Sequence, residues 1–203
     1  MSKTTTIISV IALVISFTAV VISFVAAFKD RIFSAKIVVI TGGIWVVPTQ
    51  NNPGNNLTLV FPLTFLNEGY ADAVIQSLRI KITDSNSQVK SYIPTAEVDE
   101  ERLIQGTKKI TTSSLRGSFS AFIIEARKSV RKLILFAPDN RDGQPSFGIW
   151  EGGEQTIEIF VRQRNWDEQR ILASFKQTIS QENIDFFMSG GSKFITGPDF
   201  GFD

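Results

Sequence analysis

The hydrophobic pattern changes once along this chain, and the change divides it in two. From Thr4 to Phe28 run 25 residues without a charge, mostly Ile, Val, Ala, Phe and Ser. A helix rises about 1.5 Å per residue and needs roughly 20 apolar residues to cross the hydrocarbon layer of a bilayer. The run therefore predicts one transmembrane helix over residues 4–28, after a three-residue leader at 1–3. β-branched residues are poor helix formers in water, but lipid forces the backbone to bond within itself. From Lys36 onward the period is two. Leu57, Leu59, Phe61, Leu63 and Phe65 are apolar at alternate positions, and Pro62 on the other face suggests an edge strand or a bulge. Val74, Leu78, Ile80 and Ile82 share a face on which Gln76 is the exception.

Further strands are expected over Lys36–Val47, broken at Gly42-Gly43, and over Ser118–Ala126 and Val130–Ala137, joined as a hairpin by a tight basic turn. Gln155–Arg164 and Ile171–Ile179 read as strands too, the latter with Ile171, Ala173, Phe175 and Ile179 on one face. Val89–Ile93 adds a short strand, and Thr95–Gln105 is the expected single short helix. Seven to eight short strands with turns between them, and no strand–helix alternation, indicate an all-β, antiparallel sandwich over residues 36–189. A spacer at 29–35 precedes it, and a Gly/Phe-rich tail at 190–203 follows. The stretch Leu63–Ile82, two alternating strands around Asn67-Glu68-Gly69, resembles bacterial Ig-like modules, which implies an Ig-like sandwich.

Within the apolar run the small residues repeat. Ser9, Ser16 and Ser23 are seven apart, as are Ala12, Ala19 and Ala26, offset by three. Three–four spacing lays all six along one seam of a helix. In lipid, helices associate where small side chains let backbones approach and hydroxyls bond across. The seam thus predicts a homo-oligomer or a membrane-protein partner; the alternative is a hydroxyl bonding its own i−4 carbonyl. Cleavage after Ala27 as a signal peptide is the rival to a retained anchor, but the run far exceeds the ~7–15 residues of a signal core. Lys29, Arg31 and Lys36 outnumber Lys3, which by basic-residue counting favours a cytoplasmic domain. The very short leader favours export, and the expectation is a domain on the periplasmic or extracellular side.

Composition removes function classes. The 203 residues contain no cysteine and no histidine. Thiolate chemistry, Cys-based metal sites and every Ser–His or Cys–His dyad are thereby excluded, and no cofactor or metal is expected. With 21 Lys+Arg against 20 Asp+Glu, the chain lacks the basic excess that nucleic acid requires. Gly190-Gly191-Ser192-Lys193 lacks the first glycine of a phosphate loop, and Asp139-Asn140-Arg141-Asp142-Gly143 lacks a ligand at the first and twelfth positions of a calcium loop. Asp99-Glu100-Glu101 reads as a solvated charge run. Two features point to contact instead: the cations Arg127, Lys128, Arg131 and Lys132, suited to anionic headgroups or an acidic partner, and Phe194, Phe200 and Phe202 in the tail, suited to a groove. A membrane-anchored, non-catalytic interaction or structural subunit is the function expected. The alternative is a membrane-anchored hydrolase using a carboxylate pair, which needs neither His nor Cys. A pilin-type subunit shares the layout but carries an acid early in its apolar helix, absent here.

Overall fold

A computed structural model describes residues 3–32, 34–48, 57–99, 115–139, 152–189 and 193–196. It opens with a helix, α1 (Lys3–Ile32). Among the described residues no helix is long and apolar enough to cross a membrane, so the expected span over 4–28 is not met by them. The side chains described on α1 are those of residues 10–26 and 28. Every one of those side chains is exposed.

The rest is mostly antiparallel β: β1 (Ile37–Thr41), β2 (Gly43–Pro48), β3 (Leu57–Asn67), β4 (Ala73–Thr83), β5 (Val89–Val98), β6 (Leu115–Ser118), β7 (Phe122–Ile124), β8 (Ser129–Pro138), β9 (Gly153–Gln163), β10 (Arg170–Ile179) and β11 (Lys193–Thr196). A short helix, α2 (Gln181–Met188), follows β10. These strands form one hydrogen-bonded path, β10-β9-β4-β5-β8-β3-β2-β11, with β1 on β3, β6 on β5 and β7 on β4. β1 also lies close to β10, so the sheet rolls almost onto itself. Eleven strands are described, more than the seven or eight expected.

Alternation fills the interior. Leu59, Phe61, Leu63 and Phe65 of β3 face Ile80 and Ile82 of β4, Ile157 and Ile159 of β9, and Phe136 of β8, all essentially inaccessible to water. The Phe61 and Phe136 rings meet edge to face at 5.7 Å, a favoured aromatic geometry. Two lapses in the alternation are bulges. On β4 the register with β9 shifts between Ile75 and Ser77; Gln76, the extra residue, is exposed, and the buried set changes from Ala73 and Ile75 to Leu78, Ile80 and Ile82. Val74 is therefore not on the core face as expected, since one inserted residue flips every side chain beyond it. The same device at Leu172 in β10 leaves Ile171 exposed while Phe175 and Ile179 are buried. Between β1 and β2, three residues (Gly42, Gly43, Ile44) face two on β3 (Phe61, Pro62). Gly43 has φ 150° there, which suits glycine. Pro62, which has no N–H to donate, thus sits in an interior strand but opposite a bulge.

Three expectations are corrected. Thr95–Val98 is the end of β5 rather than the start of a helix, because beyond a bulge at Thr95 the strand continues with Ala96 and Val98 buried at alternate positions; residues 100–105 lie outside the described set. The helix is instead α2, capped by Ser180, whose Oγ accepts from Asn183 N at 3.2 Å. Ile184 and Phe187 enter the core from it. And β7 does not form a hairpin with β8: β7 pairs with β4, while β8 pairs with β3 and β5, so the basic turn is an arch between different parts of the sheet.

Candidate functional site

One end of the domain collects the features that bear on attachment. β3 ends and β1 begins there (Ile37 opposite Asn67), β8 begins there (Ser129 opposite Leu66), and the β9–β10 turn arrives beside the start of β4. The lead-in from α1 reaches this end through Ser34–Lys36. Its backbone is bound on both sides of the β3–β4 turn: Glu68 N donates to Lys36 O at 2.8 Å and Tyr70 N to Ser34 O at 3.2 Å. Gly69 between them touches the lead-in so closely that a Cβ would lie 2.2 Å from Ser34 O and 2.5 Å from Lys36 N.

Asn67 organises this end. It occupies the next inward position of β3 after Phe65 and is fully buried. Its Oδ1 accepts from Lys36 N at 3.3 Å and Gly69 N at 3.0 Å. Its Nδ2 donates to Ala71 O at 2.8 Å, Ile124 O at 3.1 Å and Glu125 O at 3.3 Å. One amide therefore joins the lead-in, the β3–β4 turn and the β7–β8 arch. Asp72 adds a second tie, accepting from Ala126 N at 2.9 Å.

The arch tip holds the first two residues of the basic run. Arg127 has φ 60°, and its guanidinium lies 4.1 Å from the Tyr70 ring centroid. Lys128 is exposed. The other two cations diverge, because successive strand residues point to opposite faces. Arg131 is exposed, whereas Lys132 is largely covered, 2.5 Å from Glu97 Oε1 and 4.7 Å from the Phe122 ring. The four cations are thus not one patch. At the neighbouring β9–β10 turn a second stack forms, with Arg170 4.7 Å from the Trp166 ring. That turn is tied to β4 by Arg164 N donating to Val74 O at 3.0 Å and by Gln169 Nε2 donating to Ser77 Oγ at 3.1 Å.

On α1, Ser9, Ala12, Ser16, Ala19, Ser23 and Ala26 all fall within the helix; the five from Ala12 onward are exposed, and the side chain of Ser9 lies outside the described residues. Among the described side chains, the Thr18 hydroxyl bonds back to an i−4 carbonyl, Val14 O, at 2.8 Å. Phe194 belongs to β11, opposite Trp45 of β2, so residues 193–196 of the tail extend the sheet rather than hang free; Phe200 and Phe202 lie outside the described residues. Asp99 pairs with Arg116 at 3.5 Å, while Glu100 and Glu101 are not described. No group of three or more potential metal-binding side chains occurs among the described residues.

No protein-family model matches the chain, and no curated protein matches it. Among solved structures it is similar to a Bordetella pertussis protein named ApaA, at 12% identity and TM-score 0.39 over 74% of this chain and 98% of that one. It is also similar to part of a GH3 beta-glucosidase from Bifidobacterium adolescentis, at 18% identity and TM-score 0.32 over 72% of this chain and 17% of that one. Both scores are too low to assign a fold family or an activity.

Proposed function

We propose that this chain is a membrane-anchored, non-catalytic β module, Ig-like in arrangement, that serves as an interaction or structural subunit of a membrane-associated assembly. The observation that carries the reading is a contrast in exposure. Apolar side chains such as Leu13 (73%), Phe17 (70%) and Val20 (66%) stand in the open on α1, while the β domain buries most of its own. So much contiguous apolar surface on a helix requires a cover that this domain does not supply. The uncharged run continues beyond Val10–Ala26 in both directions, from Thr4 to Phe28, which is the length lipid calls for. The Ser/Ala seam then supplies a face for self-association or for a partner's helix.

A carboxylate-pair hydrolase has less in its favour. The buried acids among the described residues are Asp84 and Asp139. Asp84 Oδ1 accepts from Asn86 N and Gln88 N in its turn, and Asp139 faces Arg79 at 3.4 Å. Each has a structural task. Purification of the full chain in mild detergent, followed by measurement of particle mass, tests the proposal. A self-oligomer or a stoichiometric membrane partner is expected; a lone monomer that hydrolyses glycans would replace this reading with the other.

A further inference from the structure

The end that receives the lead-in carries two aromatic–guanidinium stacks, Tyr70 with Arg127, where both side chains are exposed, and Trp166 with Arg170, where the ring is half-buried. Tyr70 is 64% exposed although its backbone is bound to Ser34. Arg127 holds φ 60°, a conformation that glycine adopts freely and other residues only at a cost of ~1 kcal/mol or more. An arginine kept there against backbone preference points to a use for its side chain.

Charge narrows what that use is. The cations at this end are Lys36, Arg127, Lys128, Arg164 and Arg170; the acids are Glu68, Asp72, Glu125, Asp167 and Glu168. Lys36 pairs with Glu68 at 2.7 Å, and Asp72 is occupied by Ala126 N. The sum is balanced, so this is not a polybasic face that adsorbs by charge alone. Tyr and Trp rings beside long arginine stems are instead the make-up of a membrane interface, where an apolar body and a polar tip are satisfied together. Reach agrees. From Phe28 to the end of α1 at Ile32 a helix rises roughly 6 Å, and two extended residues to Ser34 add roughly 7 Å at most. Ser34 therefore lies within about 13 Å of Phe28, and Tyr70 N is 3.2 Å from Ser34 O, a separation that a headgroup layer of roughly 5–7 Å and the length of the side chains largely cover.

We infer that this end of the domain rests in the lipid headgroup layer, with Tyr70 and Trp166 entering the interface and Arg127, Lys128 and Arg170 meeting lipid phosphates. The inference rests on α1 being a retained anchor. The cysteine-free chain allows a direct test. Lys128→Cys and, at the turn of the opposite end, Ser87→Cys are each labelled with a nitroxide in the full chain, reconstituted into phosphatidylcholine vesicles containing phosphatidylglycerol. The label at position 128 should collide with an aqueous nickel relaxant several-fold less often than the label at 87. Adding Tyr70→Ser and Trp166→Ser should bring the two labels to equal accessibility, with the circular dichroism of the domain unchanged. Equal accessibility before those substitutions, in protein that stays with the vesicles, overturns the inference and leaves the anchor standing. Protein that fails to float with the vesicles overturns both.

Discussion

Asn67→Ala removes the one side chain that joins the lead-in to the domain. The substitution deletes an acceptor for Lys36 N and Gly69 N and a donor for Ala71 O, Ile124 O and Glu125 O. Glu125 O keeps Lys128 N at 3.1 Å, so four backbone groups lose a partner. A buried group left unpaired costs about 1–3 kcal/mol, and those nearest the surface recover water. The expected loss is about 3–5 kcal/mol, against the 5–15 kcal/mol that roughly bounds a domain's stability. At about 2–4 °C per kcal/mol for a chain of this length, the midpoint falls by about 10 °C. Thermal and urea unfolding followed by circular dichroism in detergent reads this directly, with Gln76→Ala, at the exposed bulge residue, as the silent control. Asn67→Asp should be at least as damaging, because an acceptor then faces the carbonyls of Ala71 and Ile124. An Asn67→Ala midpoint within 1–2 °C of the parent, or about 0.5 kcal/mol, would refute the role given to this amide.

Gly69→Ala drives a methyl into the Ser34–Lys36 backbone and should expose the bond after Lys36 to trypsin, with new cleavage there in limited proteolysis. The Lys132–Glu97 pair, about one-fifth exposed on each side, should show a coupling of about 1 kcal/mol in a double-mutant cycle, whereas Lys36–Glu68 and Lys176–Glu154, mostly in water, should fall below about 0.5 kcal/mol. Ser9, Ser16 and Ser23 changed together to Leu should lower self-association in a membrane two-hybrid assay several-fold; unchanged association would remove the seam.

The strands were legible because alternation is a direct record of which face is buried. Leu59 to Phe65 showed it in β3, and the Gly42-Gly43 break appeared where β1 passes to β2. Pro62 was legible as well, since a bulge was one of its two expected settings. What escaped the sequence was pairing. Nothing local distinguishes an arch from a hairpin, so the link between β7 and β8 was misread, and with it the four cations were taken as one patch. Gln76 looked like noise in the alternation, though a polar residue that interrupts the inward row is a bulge signal; the bulge at Leu172 left no such mark, since Ile171, Ala173 and Phe175 keep an unbroken apolar phase across it. Asn67 stood in the inward phase of β3 and read only as a turn residue; its partners lie up to 58 residues away, which no spacing reveals. α2 had its cap in Ser180, but eight residues are too few for a clear helical period.

The central claim is that α1 is retained in lipid and holds the β module at the membrane surface. Alkaline carbonate extraction of membranes from cells making the full chain tests it most directly, with the intact mass of the protein measured in each fraction. The chain should stay in the pellet with its apolar N-terminal segment attached. Recovery in the supernatant, or a mature polypeptide beginning near Phe28, would contradict the account.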